Sequence, residues 1–523
     1  MTKATTASGA PRTRVSFLRL GVVLVSGFAL VWTGLHFFTT VLATTVVPGP
    51  SIFAAYVDVT VTPTYSFGTP EGPAQSNVIL SFVVADPTDA CTPMWGGAYT
   101  LDTAASDLEL ERRIQQLRST GGLVSVSFGG QAGTELSVGC SDPDSLENAY
   151  QSVVDRYSLT GIDLDIEGSS LADADAGARR AVAIKAVQDR ARAAGSYLDV
   201  WLTLPVAPTG LTTDGLAVVQ QMLAAGVDVA GVNGMTMDFG TGVSTGKPYS
   251  DVVLQAATAL HTQVSSAYDR AGTPLDDSHV WAKIGITPMI GQNDIAGEVF
   301  TLADAEVVNE FARSNGVGKV SMWSLNRDAS CESPLPTVLT VVQTSCSGVD
   351  QGTQTFADVL SLDLPFASRV MASSTSSTTS PEPSASSTPE PDLTGEPDDP
   401  EHSPYPIWDE YGTYPSGTKI VWLHKVYEAN YWTSGVAPDT SVGSSTDSPW
   451  SLVGPVLPGD TPAALPTLPA GTYPQWDETE AYEAGTRVQL GLVPYAAKWW
   501  SQGQEPGVSV PGGSPWVLVL PSS

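Results

Sequence analysis

The chain has 523 residues and a formal net charge of −31, although only 15% of its residues are charged. This length exceeds that of one ordinary domain, so we expect several domains. The strong acidic bias argues against nucleic acid and anionic membrane surfaces as partners, whereas a neutral polymer is compatible with it.

The N-terminus has the pattern of an export signal. Basic residues precede an apolar run over residues 20–47, and residues 41–43 offer a small-residue cleavage site. The run is also long enough to span a bilayer as an uncleaved anchor, so release and anchoring both stay open. We therefore expect residues 1–48 to be a signal peptide or membrane anchor. Either would leave the remainder extracellular, secreted or held at the outer face of the cell membrane.

Four cysteines lie in the middle section of the chain. With an export signal present, two disulfides are expected rather than free thiols. Sequence order favours Cys91–Cys140 and Cys331–Cys346 among three pairings. No CxxC spacing or Cys/His cluster indicates zinc.

Residues 49–366 alternate between strand-like and helix-like segments. The predicted strands begin at Phe53, Asn77, Leu123, Leu159, Tyr197, Val229, Val280 and Lys319. The predicted helices span residues 108–118, 145–157, 179–194, 214–225, 251–271 and 303–314, and glycine commonly follows them, at Gly121, Gly195, Gly226 and Gly316. This alternation predicts an α/β fold, a (β/α)₈ TIM barrel. A doubly wound open sheet is the alternative, but no GxGxxG follows the first strand.

Residues 159–168, LTGIDLDIEG, contain three aliphatic residues that alternate with three carboxylates, Asp163, Asp165 and Glu167. On a strand, the three carboxylates share one face. An ordinary half-buried strand would point that face at water. Three acids with no basic residue among them are nevertheless costly unless they share protons or meet a ligand. Glu167 lies at the C-terminal end of its strand, where the chemistry of a barrel is found.

Four motifs in chain order resemble those of glycoside hydrolase family 18, the retaining chitinases. Residues 159–168 resemble its DGxDxDxE signature, and residues 127–130 (SFGG) resemble its SxGG motif. Residues 235–238 (MTMD) resemble its MxYD motif, and Trp323 resembles the tryptophan on its last strand. Residues 286–294, ITPMIGQND, are similar to a bacterial and archaeal subgroup. The likeness covers roughly residues 51–346.

The resemblance implies substrate-assisted catalysis. Glu167 would protonate the glycosidic oxygen, and the substrate's own 2-acetamido oxygen would attack the anomeric carbon. Asp165 would hold the acetamido N–H, and Asp163 would share a proton with it, because like charges so close do not both ionise cheaply. Glu167 would then act as base on the incoming water, with net retention. The acidic run could instead bind a divalent metal. The other motifs would then be coincidence, so we expect no metal and no cofactor.

Two positions depart from the family pattern. The first Asp of the signature is Thr160, and the MxYD tyrosine, which in the family helps to hold the acetamido oxygen, is Met237. Gln292 and Asn293 are candidates to replace that donor. The predicted substrate-binding residues are Met235, Met237, Asp238, Gln292, Asn293 and Trp323.

Three singled-out residues have a plain structural alternative. Trp323 could be barrel core, and Asp238 could cap the following turn, but their motif positions favour a place in the site. Trp95, in the loop after the second strand, is expected either to line the cleft or to pack.

The composition changes after the barrel. Residues 367–402 are rich in Ser, Thr, Pro and Glu and have no apolar periodicity, which predicts a disordered linker. Beyond it the chain repeats, with Trp408 recurring as Trp476 and Tyr414 as Tyr482. The high Gly and Pro content predicts two small all-β modules, residues 403–454 and 472–520, separated by a spacer over residues 455–471.

Each predicted module carries adjacent aromatic residues, Tyr431-Trp432 in the first and Trp499-Trp500 in the second. So small a core cannot bury both members of a pair. The pattern resembles the family 5/12 chitin-binding modules, a kind of carbohydrate-binding module whose aromatic pair stacks on sugar rings. For Trp408 and Trp476 we prefer a structural role.

Together these features predict a monomeric chitinase whose partners are chitin and N-acetylglucosamine oligomers. One alternative is an endo-β-N-acetylglucosaminidase on other glycans, because the same chemistry serves any N-acetylglucosamine linkage. Another is a non-hydrolytic chitin lectin or adhesin. The intact Glu167 argues against the lectin, whereas Met237 slightly favours it. The tandem modules favour insoluble chitin over glycoprotein.

Overall fold

The structure of the protein is a computed structural model. It describes residues 51–243, 246–364, 398–400, 402–410, 412–438, 448–462, 465–508 and 514–519. The predicted export segment and nearly all of the predicted linker lie outside these ranges. Within them, no helix has both the length and the apolar character that a bilayer crossing requires.

Among the described residues, eight parallel barrel strands can be followed around a closed ring. They are β1 (Ile52–Phe53, continued as Ala55–Asp58), β2 (Asn77–Ala85), β3 (Leu123–Gly129), β4 (Gly161–Asp165), β5 (Asp199–Ala207), β6 (Val229–Met235), β7 (Ile284–Thr287) and β8 (Lys319–Val320). Each strand pairs in parallel with the next. The ring closes because β8 pairs with the first part of β1. The predicted α/β fold with a parallel barrel sheet is confirmed.

The helices between these strands begin and end where local signals place them. The long ones are α1 (Leu110–Ser119), α2 (Pro143–Arg156), α3 (Ala174–Ala193), α4 (Thr213–Ala224), α5 (Tyr249–Arg270) and α6 (Leu302–Asn315). The side chains of Asp142, Asp173, Thr212 and Thr301 each accept a hydrogen bond from a first-turn N–H, which satisfies a donor that the helix itself leaves free. The four predicted glycine ends all have positive φ, between 71° and 86°.

Shorter elements complete the barrel domain. Its short helices are Leu101–Asp107, Leu136–Gly139, Asp277–Trp281 and Phe356–Leu360, with 3₁₀ turns at Pro73–Gln75, Gly168–Leu171 and Leu325–Arg327. Its short strands are Pro93–Trp95, Tyr99–Thr100, Gly210–Leu211, Gly291–Gln292 and Val299–Phe300.

One predicted strand begins later in the structure than in the prediction. Val280 lies in the helix Asp277–Trp281 and not in a strand, because Asp276 accepts a hydrogen bond from His279 N and starts a helical turn there. An apolar run this short does not distinguish helix from strand by its period. The helix predicted over residues 108–118 is present as α1 (Leu110–Ser119), and a separate short helix, Leu101–Asp107, precedes it. Glu109, at φ 51°, separates them.

Both predicted disulfides, Cys91–Cys140 and Cys331–Cys346, are confirmed. Trp95 is fully buried, and its indole N–H donates to the Tyr157 hydroxyl at 2.9 Å. This tryptophan therefore packs in the barrel domain and does not line a cleft.

The described residues beyond the barrel form two small β units with the same topology. In module 1, Thr413–Tyr414 pairs with Thr433–Ser434, and Lys419–Trp422, Lys425–Ala429 and Trp450–Pro455 form a three-stranded sheet. In module 2, the matching strands are Ala481–Tyr482 with Ser501–Gln502, and Arg487–Leu490, Val493–Ala497 and Trp516–Leu518. Trp408 and Trp476 pack against the small cores.

The adjacent aromatic residues of both modules are exposed. The exposed fractions are 47% for Tyr431, 63% for Trp432, 43% for Trp499 and 55% for Trp500. The small cores of the two modules therefore leave these four large aromatic side chains in contact with solvent.

Candidate active site

A cavity of about 100 Å³ opens at the C-terminal ends of the barrel strands. Asp165 ends β4, Met235 ends β6 and Thr287 ends β7, so the parallel strands deliver these side chains to one mouth. The cavity is lined by Tyr56, Phe82, Gln131, Asp165, Glu167, Thr203, Met235, Met237, Asp238, Thr287, Met289, Asp294 and Trp323.

Asp163 lies below this cavity as a buried acceptor. One oxygen accepts hydrogen bonds from the Tyr56 hydroxyl at 2.9 Å and the Ser127 hydroxyl at 2.8 Å. The other accepts from the Thr203 hydroxyl at 2.6 Å and lies 3.5 Å from Lys319 Nζ. Four strands besides its own therefore hold this carboxylate, which fixes its position under the site.

Asp165 lies on the same strand, two residues after Asp163, and lines the cavity. It is 4% exposed, and its Oδ1 is buried with no hydrogen-bond partner among the described residues. Burial raises the pKa of Asp165 well above its ordinary value, and the charges of Glu167 and Asp163 raise it further, while Lys319 lowers it. Asp165 therefore keeps its proton to higher pH than an ordinary aspartate, and it has an unused polar atom.

Glu167 follows β4 at the mouth of the barrel and is half-buried. Burial, and then the charge of Asp238, raise the pKa of Glu167 from 4.5 to about 7. A carboxylic acid that stays protonated near neutral pH is suited to general acid catalysis.

The Asp238 carboxylate is held on a strained loop after β6. Asp238 has φ 50°, and its side chain accepts a hydrogen bond from Ile295 N at 3.1 Å. The buried Glu298 carboxylate accepts hydrogen bonds from Phe239 N at 3.0 Å, Gly240 N at 2.8 Å and the Tyr249 hydroxyl at 2.7 Å. Backbone strain of this kind persists only where its surroundings enforce it. The loop therefore holds Asp238 close enough to influence Glu167.

Trp323 forms an aromatic wall of the cavity. Its ring stacks on Phe82 at 5.3 Å between centroids and tilts against Tyr56 at 6.0 Å. The two methionines of the MTMD motif, Met235 and Met237, lie in the same lining.

Gln292 and Asn293, the residues expected to replace the missing tyrosine, are not among those that line the cavity. The Asn293 amide nitrogen donates to the carbonyls of Met289 at 2.9 Å and Gly291 at 3.2 Å, so both its donors are in use. Gln292 is 7% exposed and belongs to a short strand outside the barrel ring. The cavity-lining residue with an amide donor is Gln131, directly after the SFGG motif.

Sequence reasoning missed Gln131, Tyr56, Thr203 and Lys319. For three of these residues the sequence did contain a signal. Tyr56, Thr203 and Lys319 are polar residues within the otherwise apolar strands β1, β5 and β8. Lys319 is 3% exposed, and its ammonium also lies over the Trp201 ring at 4.3 Å.

In the described ranges, no cluster of three or more His, Cys, Asp or Glu side chains is arranged to hold a metal ion.

Comparisons with known proteins agree with this geometry. No family model matches the chain. The chain is 38% identical over 255 residues to a probable bifunctional chitinase/lysozyme of Escherichia coli strain K12, covering 48% of this chain and 28% of that protein. It is 36% identical over 273 residues to endochitinase 11 of Metarhizium anisopliae, covering 51% of this chain and 49% of that protein.

The fold of the chain is also similar to that of a solved chitinase structure. The catalytic domain of a hyperthermophilic chitinase from Pyrococcus furiosus matches with a TM-score of 0.50 and 27% identity, covering 60% of this chain and 94% of that domain. The chain is thus similar to chitinases in sequence over about half of its length and in fold over 60% of it. The chain spans half or less of the length of the two curated relatives.

Proposed function

We propose that the protein is a chitinase that hydrolyses β-1,4-N-acetylglucosamine linkages with retention. The observation that carries this proposal is the pairing of Glu167, whose pKa is raised to about 7, with the buried Asp165 in one cavity. The related E. coli and Metarhizium proteins are named as chitinases, which supports the same substrate class.

In the proposed reaction, Glu167 gives its proton to the glycosidic oxygen as the bond to the anomeric carbon breaks. The substrate's acetamido carbonyl oxygen forms a new bond to that carbon and leaves an oxazolinium ion. Glu167 then takes a proton from water, the water oxygen bonds to the anomeric carbon, and the acetamido group is released. Glu167 ends protonated and ready for the next turnover.

Asp165 has the role of holding the acetamido N–H. Its Oδ1 has no partner among the described residues, so it is available as an acceptor. The N–H gains acidity as the oxazolinium forms, and an acceptor placed there stabilises the charge that develops. Asp163, held by Tyr56, Ser127 and Thr203, supports Asp165 from below.

Gln131 is our candidate for the acetamido-oxygen donor, in place of the family tyrosine. It lines the cavity and carries amide N–H groups, whereas the thioether of Met237 donates no hydrogen bond. Replacing Gln131 with Glu, which keeps the shape and removes the donors, should lower kcat more than it raises KM. An unchanged kcat would contradict this assignment.

We propose that both modules bind chitin through their exposed aromatic pairs. Rings that stand 43% to 63% in solvent are available to stack on sugar faces. The substrate is then the insoluble polymer. The two disulfides support a site of action outside the reducing cytoplasm.

The function is tested with purified protein on colloidal chitin, N-acetylglucosamine oligomers and fully deacetylated chitosan. We expect cleavage of the first two and none of the third, with the β-anomer formed first when products are followed by NMR. Glu167→Gln should lose turnover by about 10²–10⁴-fold. Cleavage of fully deacetylated chitosan would contradict the acetamido mechanism.

The alternative endo-β-N-acetylglucosaminidase differs only in the glycan that carries the linkage. Release of glycans from glycoprotein, faster than cleavage of oligomeric chitin, would favour it.

A further inference from the structure

Module 1 contacts the barrel through a set of charged side chains at the start of α1. Arg112 donates to Glu109 at 2.8 Å, to Asp460 at 2.9 Å and to the Pro455 carbonyl at 2.5 Å. The Glu109 carboxylate also accepts hydrogen bonds from Lys419 Nζ at 3.1 Å and from the Tyr405 hydroxyl. We call these five side chains the docking network.

The docking network is shielded from water. The exposed side-chain fractions are 5% for Arg112, 6% for Glu109, 15% for Asp460 and 21% for Lys419. Exposed ion pairs contribute little because water and salt screen them, whereas removing one partner of a buried pair strands a charge. Replacing one partner of these pairs therefore leaves the other partner with an uncompensated charge in the docked state.

The backbone at this contact has two unusual features, one at Glu109 and one at Gly454. Glu109 has φ 51°, a conformation that L-residues avoid, and its side chain caps no helix. On the facing module, Gly454 approaches so closely that a Cβ there would lie 2.6 Å from the Arg112 carbonyl oxygen. Both features are explained by a close packing of the two surfaces.

Module 2 offers an internal comparison, because it repeats two residues of the docking network at equivalent positions. Tyr473 and Arg487 occupy the positions of Tyr405 and Lys419, as the shared Tyr-Pro-x-Trp and Thr-Lys/Arg segments show. Arg487 donates to the Tyr473 hydroxyl at 2.9 Å, within its own module. The pair is therefore common to both modules, and only in the first does the structure describe it meeting a barrel carboxylate.

We infer that the docking network holds module 1 on the barrel, so that the two form one rigid body, while module 2 is tethered to them through the spacer. The contacted residues lie at the N-terminus of α1, which is the end of a barrel helix nearest the catalytic mouth.

A consequence follows that rests on the proposed function. Tyr431 and Trp432 then keep a fixed orientation relative to the cavity. Module 2 instead raises the local concentration of substrate as a tethered anchor.

The docking is tested on the full chain by distance measurements that need no activity. The described residues contain no free cysteine, so a spin label attaches to introduced thiols. Val182, Val436 and Val517 are exposed positions on the barrel, module 1 and module 2. We expect a narrow distance distribution for V182C with V436C and a broad one for V182C with V517C. An equally broad distribution for both pairs would overturn the inference.

The network itself is tested with Lys419→Met in module 1 and Asp460→Asn in the spacer together, so that the barrel sequence is unaltered. This variant should broaden the distribution between positions 182 and 436. The matched variant Arg487→Met, in module 2, should leave it unchanged. A distribution that stays narrow in the double variant would show that the docking network does not hold the module.

Activity assays on the same variants separate this inference from the proposed function. Undocking should reduce the rate on insoluble chitin by about ten-fold and leave short-oligomer turnover unchanged. If the double variant shows a broadened distance distribution but the unaltered protein cleaves no chitin substrate, the docking inference holds and the proposed function is wrong.

Discussion

Glu167→Gln should make the barrel more stable at alkaline pH while it removes turnover. The folded protein holds the Glu167 proton up to a pKa of about 7, whereas the unfolded chain releases it near 4.5. Between these values the folded state binds more protons than the unfolded state, so the free energy of unfolding falls as the pH rises. The contribution of this group is fully present below pH 4.5 and is lost above pH 7.

The size of this effect follows from the same two values. The gap between 4.5 and about 7 corresponds to about 3 kcal/mol, at about 1.4 kcal/mol for each ten-fold change in proton affinity. The neutral amide of the variant carries no such penalty at any pH. It also removes a charge that raises the pKa of Asp165, which acts in the same direction.

The assay is urea unfolding at pH 4 and pH 8, followed by circular dichroism at 222 nm. The described α-helices lie between Leu101 and Leu360, so this signal reports the barrel and not the modules. Wild type and variant should agree at pH 4, and the variant should be more stable by about 3 kcal/mol at pH 8.

A surface substitution serves as the control. Glu306 is exposed on α6, and Glu306→Gln should not separate from wild type at either pH. Equal stabilities of wild type and Glu167→Gln at pH 8 would refute the reasoning, because the folded site would then impose no cost on the Glu167 charge.

Two further predictions concern the site and the modules. Asp238→Asn removes the charge that raises the pKa of Glu167, so the alkaline limb of kcat/KM should move to below about pH 7, whereas Asp294→Asn, in the same cavity, should leave the limb in place. A limb that does not move in Asp238→Asn would remove Asp238 from the site's electrostatics. Trp432→Ala combined with Trp500→Ala should lower retention on insoluble chitin in a pull-down by about 10²-fold without changing oligomer turnover. Equal losses on both substrates would show that these rings support the fold.

The features that depend on local order were predictable from the sequence. The alternation of Asp163, Asp165 and Glu167 with aliphatic residues identifies a strand and its acidic face, because side chains on a strand alternate between faces. The order of the four cysteines in the chain favoured the pairing that the structure has. The recurrence of Trp408 as Trp476 marked two units, because a repeat is visible without any fold.

The features that depend on contacts across the chain were decided only by the tertiary structure. Tyr56 and Lys319 meet Asp163 because β1 and β8 close the ring on the side of the barrel opposite β4, across sequence separations of 107 and 156 residues. Asn293 was assigned to the cavity by its motif, but its amide turns to local carbonyls that no pattern predicts. The docking of module 1 joins Arg112 to Asp460 across 348 residues. The period of apolar residues in the sequence predicts which face of a helix or strand a residue occupies. Which other surface packs against that face depends on the tertiary structure of the whole chain.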